Sequence, residues 1–110
     1  MLSKKDVIEI NKQFHLGTIS NEGSLDYAID LVYRSKNWLR VTAILTRAIV
    51  VDHVFEDGNK RTAAGVIATI MDLNKINYSP EKIDKVVLTI AKANLTNIKE
   101  IEKVIKDARE

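Results

Sequence analysis

Apolar residues in this chain recur at spacings of three and four in six successive segments, and no stretch shows the strict alternation of a strand. Such spacing puts side chains on one stripe of an α-helix, and each stripe has to be buried against others. The first segment opens at Ser3, with Asp6 three residues on as an imperfect capping box. It carries Val7, Ile10 and Phe14 before Gly17 ends the pattern. A second starts after Ser24, with Leu25, Ala28, Ile29 and Val32 on one face. Ser35-Lys36-Asn37-Trp38 then interrupts with turn-forming residues. Leu39 to Asp52 is more uniformly apolar, which puts it at the centre of the fold. A fourth helix runs from about Lys60 to Leu73 with Ala63, Val66, Ile67 and Ile70 on one side, and Asn74 to Tyr78 breaks it. Ser79-Pro80 is an N-cap followed by proline in the first turn, leading into Val86, Val87, Ile90 and Ala91. After a break at Asn94 to Asn97, Ile98, Ile101, Val104 and Ile105 mark the last amphipathic helix.

The expected fold is therefore all-α, a single compact bundle of about six helices formed by residues 1–110 as one domain. Aromatic residues make up only 5% of the chain, so the core has to be built from Ile, Val, Leu and Ala. The charges are mixed along the sequence and sum to +2, without the clustered basic stripe of a nucleic-acid protein, so no DNA binding is expected. There is no cysteine and there are only two histidines, which leaves neither a disulfide framework nor an all-protein zinc site. Residues 1–6 turn polar at once, unlike a signal peptide, and the longest apolar run, Ala48 to Val51, is far too short to span a bilayer. A cytoplasmic protein with no membrane contact is expected.

One connection carries chemistry. A helix ending in His53 passes through Val54-Phe55-Glu56-Asp57-Gly58 into a helix that opens with Asn59, Lys60 and Arg61. The N–H groups at a helix start are unpaired and carry the positive end of the dipole, so such a start is an anion site before any side chain is counted. Gly58 removes the Cβ that would keep a phosphate from the backbone. Asn59 offers an amide donor, and Lys60 and Arg61 add positive charge. Asp57 stands where a carboxylate can hold Mg²⁺ against phosphate oxygens. His53, across the turn, is a base for an attacking hydroxyl. The GxxxxGK phosphate loop is excluded, because the glycine run that must precede its lysine is missing.

The run His53-Val54-Phe55-Glu56-Asp57-Gly58-Asn59-Lys60-Arg61-Thr62-Ala63 resembles the signature of the Fic/Doc (Fido) family, His-x-Phe-x-Asp/Asn-Gly/Ala-Asn-Lys/Gly-Arg. Seven demanding positions in nine agree, in a helix–loop–helix context, and the helix order on both sides is similar to that of the compact Doc-like members. The resemblance implies that His53 deprotonates the target hydroxyl and that Phe55 anchors the loop in the core. It implies that Asp57 holds Mg²⁺ and that Gly58, Asn59, Lys60 and Arg61 bind the phosphates of ATP. AMP-transferring members usually have proline after the histidine, glycine before the arginine, and a second arginine three positions beyond it. Val54, Lys60 and Ala64 occupy those places here, and Doc-type (death-on-curing) toxins share the lysine and the loss of the second arginine. The resemblance thus implies a phosphotransferase acting on a Ser or Thr hydroxyl of a protein, typically a translation factor such as elongation factor Tu. AMP transfer to Ser, Thr or Tyr is the alternative, and a silent Fido binding module a further one.

Between their second and third helices such proteins carry a flap that holds the target segment by strand-like pairing, and Ser35, Lys36, Asn37 and Trp38 stand in that place. Trp38 is either an anchor for a partner or a buried core residue. The pattern Thr18-x-x-x-Glu22-Gly23 resembles the inhibitory motif of self-regulated members. Its glutamate normally opposes the second arginine that is missing here, so inhibition is expected instead from a separate, Phd-like antitoxin. His15 is read as structural or surface, and Thr62 as a phosphate contact or a cap.

Overall fold

The computed structural model, which describes residues 2–110, turns the six stripes into six helices. They are α1 (Lys4–Lys12), α2 (Glu22–Tyr33), α3 (Trp38–Val50), α4 (Asn59–Leu73), α5 (Pro80–Ala93) and α6 (Ile98–Lys106). No sheet forms among the described residues; the only strand-like contacts there are two isolated antiparallel bridges, Ile19 with Phe55 and Tyr78 with Arg109.

Capping sets most of the boundaries. The capping box at α1 is complete: the Asp6 amide donates to Ser3 Oγ, and the Ser3 amide donates to the Asp6 carboxylate at 2.9 Å. That second bond holds the Asp6 carboxyl below its usual range. α2 begins earlier than the apolar pattern suggests because the Asn21 side chain accepts from the Ser24 amide. α3 likewise takes in Trp38, since Asn37 Oδ1 accepts from the Leu39 and Arg40 amides. Ser79 and Asn97 cap α5 and α6 in the same way. α1 is shorter than its pattern: it ends at Lys12, and Phe14, expected on its buried face, is 41% exposed.

α3 is the central element, with nine of its thirteen residues buried, and it packs against α2, α4, α5 and α6. Every helix contributes to one continuous core made mainly of Ile, Val, Leu and Ala, with Phe55 its largest fully buried side chain. Each such Leu or Ile contributes about 1.5–3 kcal/mol by leaving water. α1 lies across α4 so closely that a Cβ at Gly65 would stand 2.7 Å from Ile10 Cγ2. That approach lays the end of α1 over the start of α4, where the candidate site lies. No helix among the described residues is long and apolar enough to cross a membrane.

Candidate active site

Between Val50 and Asn59 the chain has to reverse from α3 into α4, and it does so through two left-handed residues, His53 (φ 52°) and Gly58 (φ 75°). A positive φ at a residue with a Cβ costs of order 1 kcal/mol or more, and persists only where the surroundings over-determine it. Here they do. Val54 and Phe55 are sunk in the core. The Val54 carbonyl accepts from the amides of Ser20 (2.7 Å) and Asn21 (3.0 Å), and the Glu56 amide donates to the Thr18 carbonyl at 3.0 Å.

Asparagine side chains supply the rest. Asn21 Nδ2 donates to the Asp52 carbonyl at 3.0 Å. Asn59 clasps Phe55 from both sides: its Oδ1 accepts from the Phe55 amide and its Nδ2 donates to the Phe55 carbonyl, both at 2.9 Å. Asn11, fully buried on α1, donates to the Asp57 carbonyl (3.0 Å) and Thr62 Oγ1 (2.9 Å) and accepts from the Gly17 amide (2.8 Å). A buried amide with three partners is costly to remove, since each group left unpaired loses about 1–3 kcal/mol.

The start of α4 differs from the other helix starts. Its N-cap is Gly58, no side chain caps it, and no acidic residue stands in its first turn. Lys60 and Arg61 are there instead, against the helix dipole. Asp57 Oδ1 accepts from the Gly58 amide at 2.7 Å, while its other carboxylate oxygen has no partner among the described residues. Thr62, expected as a phosphate contact or a cap, is neither: it is fully buried, donates to the Gly58 carbonyl at 2.7 Å and accepts from Asn11.

These residues open onto a cleft of about 630 Å³, within the range of about 300–1,000 Å³ usual for small-molecule sites. His53, Glu56, Asp57, Gly58, Asn59, Lys60 and Arg61 line one wall, and Leu88, Ala91, Lys92 and Asn94 at the end of α5 line the other. Lys60, Arg61 and Lys92 enter no ion pair among the described residues. The structure thus gathers the expected base, carboxylate and cations in one space. Phe55 is set beneath them in the core, and Asn59 is fixed to the loop with one Nδ2 hydrogen left for a ligand. Lys92 and Leu88 are additions that sequence reasoning missed; their four-residue spacing on α5 puts them on one face, but nothing in the sequence says that the face meets the loop.

The remaining expectations are placed elsewhere. Ser35, Lys36, Asn37 and Trp38 lie at the N-terminal end of α3, about 18 Å of helix from its C-terminal end. The connection there is short: three residues separate α2-capping Arg34 from Trp38, and Trp38 is half-buried beside Leu2, Val41 and Ile70. The strand-like pairing the loop does receive comes from Thr18 to Asn21, ahead of α2. Glu22 of the pattern resembling an inhibitory motif is held by Lys4 Nζ at 2.7 Å and does not line the cleft. His15 is exposed, and its Cβ would stand 3.5 Å from a Cβ placed on Gly58. Compared with models of protein families and with curated proteins, the chain matches none.

Proposed function

We propose that this chain transfers a phosphoryl group from ATP to a Ser or Thr hydroxyl of a protein, with His53 as general base. The observation that carries the reading is the cleft itself. A histidine, the carboxylates of Glu56 and Asp57 (the latter with a free oxygen), an uncapped helix start and three unpaired cations share a space of about 630 Å³. The residues fit a nucleotide polyphosphate on their own chemistry. The uncapped amides of α4 and the side chains of Lys60, Arg61 and Lys92 are donors without acceptors, which a chain of phosphate oxygens would satisfy. Asp57 would hold Mg²⁺, which supplies neutralisation of the phosphate charge when bound; a single carboxylate together with phosphates is its usual protein complement.

In the reaction the acceptor oxygen forms a bond to the γ-phosphorus as the bridging P–O bond breaks and ADP leaves. The hydroxyl proton passes to the His53 imidazole. The hydrogen-bonded loop fixes the backbone that carries His53 before the substrate arrives, and a positioned base contributes about 10²–10⁴-fold. Lys60 in the loop and Ala64 one turn further favour transfer of the terminal phosphoryl over AMP, as the motif's resemblance to Doc-type toxins implies. On that resemblance the target is a translation factor such as elongation factor Tu, and a Phd-like antitoxin restrains the protein.

Cytosolic extract incubated with the chain, Mg²⁺ and ATP labelled at either the α- or the γ-phosphate tests the reading. Label from the γ-position alone is expected on a protein, reduced at least a hundredfold by His53→Ala. Label from the α-position identifies an AMP transferase instead. Label from neither, with the chain folded and the extract taken from several sources, sinks the catalytic reading.

A further inference from the structure

A second surface is left without a role by the cleft. Two hollows of about 390 and 200 Å³ lie along the junction of α2 and α3, and Leu31, Arg40 and Ile44 line both, so they form one groove. Arg34 and Lys36 stand at its outer end, and Arg47 and Asp52 at its inner end. Asp52 is the residue before His53. The floor is aliphatic and the rim cationic, with four basic side chains against the one carboxylate of Asp52.

Those cations are poorly matched within the molecule. Arg34 meets Asp30 only at 3.5 Å, with both side chains mostly exposed. Lys36, Arg40 and Arg47 enter no ion pair among the described residues. The other carboxylates of α2, Glu22 and Asp26, are both held by Lys4 Nζ at 2.7 Å. Arg47 Nε is in addition buried with no hydrogen-bond partner, and an orphaned buried donor calls for an explanation. Arg40 and Arg47 are two helical turns apart and share a face of α3.

We propose that this groove binds an acidic segment of the protein substrate, with carboxylates on Arg40 and Arg47 and interspersed apolar side chains on Leu31 and Ile44. The proposal rests on the reading of the chain as acting on a protein. From Trp38 to Arg47 the helix rises about 14 Å, which roughly four residues of extended peptide span. Alternate side chains of such a peptide point to opposite sides, which suits an aliphatic floor beside a basic rim. A segment seated there leads past Asp52 toward His53, so the acceptor hydroxyl lies a few residues beyond the acidic stretch. A nucleic acid fits less well, because the floor is aliphatic and the basic surface is confined to these few side chains.

The test uses a fluorescein-labelled ten-residue peptide in which glutamate alternates with leucine and serine, and a control with lysine for glutamate. Anisotropy is read with the full chain at low and high salt. Saturable binding of the acidic peptide alone is expected, weakened by salt and at least tenfold by Arg40→Glu, a substitution at an exposed position, with helicity unchanged. His53→Ala is expected to leave binding unchanged, so failure of the catalytic reading and of this one are told apart. Absent binding, equal binding of the lysine peptide, or an unaffected Arg40→Glu overturns the proposal. So does a single-stranded oligonucleotide that displaces the peptide and itself loses affinity in Arg40→Glu.

Discussion

Residues 51–58, which leave α3, and residues 35–37, which lead into it, are both non-helical connections, yet they are held by different kinds of bond. In the first, Val54 and Phe55 enter the core, and side chains 31 and 46 positions away in sequence bind the carbonyls of Asp52 and Asp57. In the second, the hydrogen bonds run between near neighbours: Asn37 takes Ser35 Oγ as acceptor and itself accepts from the Leu39 and Arg40 amides. Local bonds of that kind start a helix but say nothing about where the loop lies relative to other elements. A loop that keeps a histidine at φ 52° has to be fixed from several elements at once, and α1, the α1–α2 segment and α4 each supply a part.

The comparison breaks most visibly at Asn11. Replacing it by alanine deprives the Asp57 carbonyl and the Gly17 amide of their partner and leaves Thr62 with one bond in place of two. A loss of about 2–4 kcal/mol in urea unfolding is expected from these unpaired, partly buried groups, and the proposed ATP-dependent transfer should fall further than the folded fraction does. A change below about 1 kcal/mol would mean that the loop keeps its shape without α1. At the other end of α3, Asn37→Ala removes a helix cap and should cost about 1 kcal/mol while leaving transfer intact. If transfer were lost there too, with stability lowered only by the cap, the α2–α3 connection would belong to the site after all.

The six helices are legible in the sequence because burial demands a stripe and a stripe repeats every three or four residues. Their ends are less so. Phe14 continues the spacing of Val7 and Ile10, but α1 has already turned back on Asn11, and nothing local marks that. Asn21 is hidden as a cap by the glycine two residues on, which reads as loop. The loop from His53 to Arg61 is legible because its chemistry is contiguous: the cleft takes a histidine, two carboxylates and two cations from nine consecutive residues. What holds that loop is not legible. Asn11 and Asn21 are ordinary polar residues until the fold brings them to the Asp57 and Asp52 carbonyls, and Lys92 joins the cleft only because α5 ends beside it.

Thr46 gives the smallest expected effect and the one of opposite sign. Four threonines, Thr42, Thr62, Thr69 and Thr89, donate to the carbonyl four residues back. Thr46, fully buried in the middle of α3 between the two connections, has no partner for its hydroxyl. Valine has the same shape without the polar atom, so Thr46→Val should relieve a desolvation penalty and stabilise the fold by up to about 1 kcal/mol. A rise in Tm of roughly 2–6 °C corresponds to that gain in a domain of this size. Because the change lies inside the shared helix and touches neither end, it should leave the proposed transfer at the His53 loop unchanged and be additive with the cost of Asn37→Ala. A fall in Tm would instead show that the Thr46 hydroxyl finds an acceptor in solution, and that α3 is held along its length by more than its aliphatic face.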